Sequence, residues 1–195
     1  MSYPKIKSNV IYLEMLEPPK ASKDDTNDLK IELQEGLKAE DYLTLYKEVG
    51  RHYIWNYRPS MPIEDVQKLL DSSGTEVYYF SNGQEEIGFA EIDSNNPKEI
   101  EIVHFGLTQD NINKGLGKNL FANLLEILWG KKPDRIHLST CGLDHPKAPK
   151  FYQAAGFKIY KEKDNVEFED YRYSDFYELT DAPQIPLARE KENHA

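Results

Sequence analysis

Gly115 and Gly117, flanked by Lys114 and Lys118, stand between a strand-like run, EIEIVHFGL, and an amphipathic stretch, NLFANLLEILW. That arrangement can bind an anion. Glycines let backbone N–H groups approach a ligand, the first turn of a helix carries N–H groups without intrahelical partners, and the helix dipole favours negative charge there. A phosphate-bearing ligand fits, and the spacing decides which kinds are excluded. A nucleotide-binding P-loop needs GxxxxGK followed by Ser or Thr, but Ile112 stands where the first glycine belongs and Asn119 follows Lys118. A dinucleotide fingerprint needs a third glycine after GLG, and Leu120 fills that position. A nucleotide-dependent kinase is therefore disfavoured. Taken alone, GLG is equally a tight entry into a helix, with Lys114 and Lys118 simply solvated.

Other reactive side chains form no pattern of comparable weight. Cys141 is the single cysteine, which excludes an intramolecular disulfide and any CxxC site, and no base at a meaningful spacing makes it a nucleophile. The five histidines show neither HxH nor HExxH spacing, so no metal site is expected. Tyr53, Trp55 and Tyr57, in RHYIWNYRP, could stack on a cationic ligand or pack as a lid.

The elements that must position these groups follow from periodicity. NVIYLEM and KIELQEG read as strands, separated by a charged, proline-containing loop, EPPKASKDDTND. Tyr42, Leu45, Tyr46 and Val49 fall on one helix face, which Gly50 ends. A second helix begins near Pro62, with Ile63, Val66 and Leu70 on one side. EVYYF and EIGFAEI form a hairpin through Asn82 and Gly83, and the strand from Glu99 to Leu107 lies beside them. After the glycine turn and its helix come a strand (RIHLST), a helix (HPKAPKFYQAA) ended by Gly156, and a strand (FKIYKE). The tyrosine-rich DNVEFEDYRYSDFYEL offers a last strand and a candidate surface for edge exchange or homodimer packing. The alternation predicts an α/β fold with a mixed sheet and helices on its faces.

Composition sets the bounds. A chain of 195 residues with 39% hydrophobic content buries one core, read here as a domain over 30–180 with an N-terminal strand and loop extension over 1–29 and a flexible tail over 181–195. The formal net charge of −10 argues against nucleic acid and anionic membranes as partners and favours cationic ones such as amines. Neither a membrane-length apolar run nor a signal-peptide pattern is present, and a cytoplasmic protein is expected.

Two segments carry a family resemblance. EIVHFGLTQDNINKGLGKNLFANLL resembles motif A, Q/RxxGxG or Q/RxxGxA, of the GNAT superfamily of acetyl-CoA-dependent N-acetyltransferases. TCGLDHPKAPKFYQAAGFKIYK is similar to that superfamily's following strand and helix, which end in FYxxxGF. The likeness, closest to a bacterial subgroup with FGL, GLG and LDHPxA signatures, covers about residues 30 to 162.

The resemblance implies the GNAT fold, a central mixed sheet with helices on both faces whose fourth and fifth core strands splay apart to admit the pantetheine arm of acetyl-CoA. It implies that the main chain of Phe105, Gly106 and Leu107 holds that arm, with Gly106 suited to a bulge, and that the amides of Asn113, Lys114, Gly115, Leu116, Gly117 and Lys118 surround the pyrophosphate. His145 takes the place of an asparagine that contacts CoA, Ile112 the place of the usual Gln or Arg, and Thr140 the place of a glutamate base found in some relatives. Tyr152 matches the tyrosine that protonates the departing thiolate. Glu101, sharing its strand face with Glu99 and Val103, matches the strand glutamate used as base in the histone-acetylating branch. The implied activity is transfer of an acetyl group from acetyl-CoA to a small-molecule or peptide amine by direct attack in a ternary complex. The alternative is a non-catalytic acyl-CoA-binding module of the same fold.

Overall fold

A computed structural model describes residues 4–19, 29–50, 52–55 and 57–170. One seven-stranded mixed sheet organises them, in the order β2-β3-β4-β5-β6-β1-β7. The strands are β1 (Lys5–Met15), β2 (Lys30–Leu33), β3 (Thr75–Ser81), β4 (Glu86–Asp93), β5 (Glu99–Leu107), β6 (Arg135–Cys141) and β7 (Lys158–Glu169). The helices are α1 (Ala39–Gly50), α2 (Ile63–Leu70), α3 (Leu116–Gly130) and α4 (Ala148–Ala154). No described helix is long and apolar enough to cross a membrane.

Alternation along the strands divides the apolar residues between two layers. Val77, Tyr79 and Phe89 pack with Tyr42, Leu45, Tyr46 and Val49 of α1 and Val66 of α2. On the other face Phe80, Ala90, Ile92, Ile100 and Ile102 pack with Leu120, Phe121, Leu124 and Leu128 of α3, and Phe151 and Tyr152 of α4 lie against the same cluster. The α1 stripe read from sequence is thus the face that meets the sheet. The β3–β4 turn also forms as expected: the Asn82 side-chain oxygen accepts the N–H groups of Gln84 and Glu85, and Gly83 takes a positive φ of 84°.

Three features differ from expectation. The first strand is a long interior one, antiparallel to both β6 and β7. Buried Val10, Leu13 and Met15 let it fill the gap between them. FKIYKE and the start of the tyrosine-rich segment merge into one strand, β7, because antiparallel pairing with β1 runs from Lys158 to Glu169 with bulges rather than a turn. The remainder of that segment and the tail expected over 181–195, with the dimer surface suggested there, lie outside the described residues.

The third difference is the position of the β5 bulge. Glu91 pairs with His104 and Ile92 with Ile102, so Val103 is the extra residue. Gly106 serves close packing instead: a Cβ there would lie 2.4 Å from Val49 Cγ1 and 3.1 Å from the Trp55 ring.

Candidate functional site

Strands β5 and β6 run parallel, yet their pairing is confined to Glu99–Arg135, Ile100–Ile136 and Glu101–His137. Beyond Glu101 both strands continue, β5 to Leu107 and β6 to Cys141, without a shared ladder. A cavity of about 750 Å³ passes through this gap. Its walls come from both layers, with Tyr46, Val49 and Trp55 on the α1 side and Phe151 and Tyr152 on the α4 side.

One end of the cavity is the glycine turn. Asn113 (φ 63°) and Gly115 (φ 81°) are both left-handed, and no side chain caps the start of α3. The first N–H groups of α3 are left by helix geometry without intrahelical acceptors. Among the described residues a Cβ on Gly115 would meet nothing within 4 Å, so this glycine is required by its backbone conformation rather than by crowding.

The sequence-derived residues divide cleanly. Phe105, Gly106, Leu107, Asn113, Gly115, Gly117, Lys118, His145 and Tyr152 line the cavity, whereas Lys114, Leu116 and Glu101 do not. Lys114 is solvent-exposed and Leu116 packs on the core cluster. Glu101 lies where β5 is still paired to β6, about 10 Å along the strand from His104 at roughly 3.3 Å per residue.

Another part of the cavity wall is aromatic and apolar: Tyr53, Ile54, Trp55, Tyr57, Leu143 and Phe168. Asp144 clasps this part together. It accepts the Trp55 indole N–H at 2.8 Å on one oxygen, and the Thr140 hydroxyl at 2.8 Å and the Cys141 N–H at 3.0 Å on the other. The carboxylate thus ties the segment after α1 to the β6–α4 connection. Thr140 is a support of this clasp and is 3% exposed. Pro149 sits in the first turn of α4, where its missing N–H costs nothing.

Local electrostatics fix the protonation of several groups. Burial, with Asp144 nearby, pushes the Cys141 thiol up to about 12, so it stays a thiol. Burial, with Asp144 again adding to it, also raises Tyr152, which keeps its phenolic proton throughout the neutral range. His145 is lowered by burial and by Lys147, and its Nδ1 accepts the Lys147 N–H at 3.1 Å.

Below Trp55 lies a charge cluster that motif reading missed. Glu91, 1% exposed, accepts hydrogen bonds from Tyr42 and Arg58 and from His104 Nδ1 at 3.1 Å. His104 Nε2 is 3.1 Å from the Tyr46 hydroxyl. Burial alone would raise the Glu91 pKa, but His104 and Arg58 overcome it and bring the carboxyl down to about 2. Glu91 is separated by 33 residues from Arg58, by 13 from His104 and by 49 from Tyr42, so no local spacing announces the cluster.

Comparison with known proteins gives a consistent picture. Residues 42–157 match the family model described as Acetyltransferase (GNAT) family. No curated protein matches the sequence. Among solved structures, a GCN5-related N-acetyltransferase from Sphaerobacter thermophilus superposes with a TM-score of 0.63 at 13% identity, over 86% of this chain and 53% of that one. A Bacillus subtilis acetyltransferase in complex with CoA gives 0.53 at 27% identity, over 68% of this chain and 78% of that one. A GNAT family acetyltransferase from Elizabethkingia anophelis with acetyl-CoA bound gives 0.54 at 19% identity, over 70% and 80%. The chain spans only 53%, 63% and 52% of the first three structures it resembles.

Proposed function

Because the chain belongs to the GNAT acetyltransferase family, we propose that it transfers an acetyl group from acetyl-CoA to an amine by direct attack within a ternary complex. The observation that carries this reading is the interrupted β5–β6 ladder, with one cavity joining that gap to the glycine turn. Unpaired edges of two parallel strands offer main-chain N–H and C=O groups to an extended amide-bearing arm, as an added strand would take them. In this reading the arm follows Phe105, Gly106 and Leu107. The pyrophosphate rests on the amides of the turn from Asn113 to Lys118, with Lys118 adding charge complementarity. Because those contacts are main-chain ones, Ile112 at the family's Gln or Arg position does not forbid them. The bound CoA and acetyl-CoA of the Bacillus subtilis and Elizabethkingia anophelis proteins support the same donor.

Tyr152 then serves the leaving group. Its ring is held by Phe121 and Phe157 at centroid distances of 5.4 and 6.3 Å, and the residue lines the cavity. The aromatic wall formed by Tyr53, Trp55 and Tyr57 receives the acceptor, which suits a small amine or a peptide terminus. Glu101 stands outside the lining, and the base role does not fall to it in this reading. His145, on the cavity lining, is assigned to the donor side.

Acetyl-CoA should raise the unfolding temperature in a concentration-dependent way, because a ligand bound to the native state alone stabilises it by about 2.7 kcal/mol at a hundred times its Kd. Thermal scans with millimolar acetyl-CoA check this, and an unchanged midpoint would sink the proposal. CoA release across a panel of amines tests turnover. Stabilisation without release on any amine would leave the non-catalytic acyl-CoA-binding module in its place.

A further inference from the structure

The α1 side of the cavity holds a hydrogen-bonded series that ends on a buried carboxylate. Glu91 is ionised, and an ionised carboxylate only accepts hydrogen bonds. His104 Nδ1 at 3.1 Å must therefore carry its proton toward Glu91. In the neutral ring Nε2 is then bare, and it takes the O–H of Tyr46 at 3.1 Å. With the neutral ring the series runs, donor to acceptor, from Tyr46 to His104 to Glu91. Tyr46 and His104 both line the cavity, beside Trp55, whose ring centroid is 5.1 Å from that of His104.

We propose that Tyr46, His104 and Glu91 form the proton-accepting relay for the acceptor amine, an inference that rests on the acetyl-transfer reading above. An alkyl amine arrives as an ammonium ion and cannot attack until it loses a proton. The ammonium gives that proton to the Tyr46 oxygen while Tyr46 gives its own to His104 Nε2. The freed amine nitrogen attacks the thioester carbonyl, the C–N bond forms, and the C–S bond breaks with its electron pair on sulfur. A second proton leaves the nitrogen and ends on the CoA thiol, and His104 returns the first to solvent through Tyr46.

Among the described residues, the groups packed against His104 fit this role. From β4, Glu91 faces Nδ1 and stabilises the imidazolium; from α1, Tyr46 faces Nε2; Trp55 covers the ring. Arg58 and Tyr42 both bond the Glu91 carboxylate and fix it, and Arg58 helps to keep it ionised. Glu91 is thus a positioning residue, while Tyr46 is the group that meets the amine. The other imidazole on the cavity wall, His145, has its Nδ1 engaged by its own helix entry. Asp144 is already occupied by Trp55, Thr140 and Cys141.

The test compares two aromatic amines at saturating acetyl-CoA and pH 7: benzylamine, present as an ammonium ion, and aniline, present as the free base. His104→Gln keeps an amide donor for Glu91, and Tyr46→Phe keeps the ring packing. Each should lower CoA release with benzylamine by about 10²-fold or more, the usual worth of general base catalysis, while changing release with aniline only a few fold. Acetyl-CoA affinity, measured on the same samples, should be unchanged. Long-range proton–nitrogen spectra of the native protein should show His104 with its proton on Nδ1. An Nε2–H ring would overturn the relay whatever the turnover. Equal losses on both amines, or full benzylamine activity in Tyr46→Phe, would also overturn it while leaving acetyl transfer standing.

Discussion

Arg58→Met should destabilise the protein by about 3–5 kcal/mol, the usual result of removing one partner from a buried ion pair and leaving the other charge uncompensated. Glu91 has a side-chain exposure of 2%, and Arg58 engages both of its oxygens. Tyr42 and His104 would remain as hydrogen-bond partners, but Arg58 is the permanent cation of the cluster. At about 2–4 °C per kcal/mol for a chain of this size, the thermal midpoint should fall by about 10 °C. Methionine keeps much of the aliphatic volume, so a cavity adds little to the loss. Adding Glu91→Gln to Arg58→Met should recover a large part of it, because the buried charge is then gone. A double-mutant cycle followed by thermal denaturation measures that coupling, and additive effects would contradict it.

Acidification should erode the contribution of this pair. In the native protein the Glu91 pKa is depressed from 4.5 to about 2, so its stabilising contribution is fully present above pH 4.5 and is lost as pH falls toward 2. Without Arg58 the carboxyl loses part of that depression, with burial then opposed by His104, so acidification costs the folded variant less than it costs the native protein. The stability gap between native protein and Arg58→Met should therefore be widest near neutral pH and narrow as the solution is acidified. A gap independent of pH would mean that Arg58 acts through packing alone.

What the sequence made legible and what it did not follow one division. Features set by local periodicity and turn chemistry were readable: the α1 stripe of Tyr42, Leu45, Tyr46 and Val49, the Asn82–Gly83 turn, and the glycine entry to α3. Features that depend on how distant segments meet were not. Alternation put Glu101 and Val103 on one face of β5, but the bulge at Val103 resets the parity. His104 thereby pairs with Glu91 and joins the cavity wall. Only a break in the β4–β5 register reveals that change, and register belongs to pairing rather than to either strand alone. Nothing local to LDHP announces that Asp144 holds Trp55, 89 residues away in the chain. The single early signal for the hidden cluster was Glu91 itself, a charged residue inside the otherwise apolar run IGFAEI, which a buried strand tolerates only with partners.

Tyr152→Phe should lower turnover by about 10²-fold while leaving acetyl-CoA affinity and thermal stability close to native. Phenylalanine keeps the ring against Phe121, Phe151 and Phe157 on the cavity wall. Burial and Asp144 raise the Tyr152 pKa, so the phenol is less acidic than a thiol of ordinary pKa near 8.5. Complete proton transfer to the departing thiolate is therefore uphill. The hydroxyl works best as a hydrogen-bond donor to sulfur as negative charge develops there, an interaction stronger in the transition state than with the bound thioester. Such a donor alters kcat and hardly alters Kd. It also adds no ionisation of its own between pH 6 and 9, so the pH–rate profile of Tyr152→Phe should keep the native shape at lower amplitude. Equal falls in kcat and affinity would instead make Tyr152 a packing residue of the donor arm.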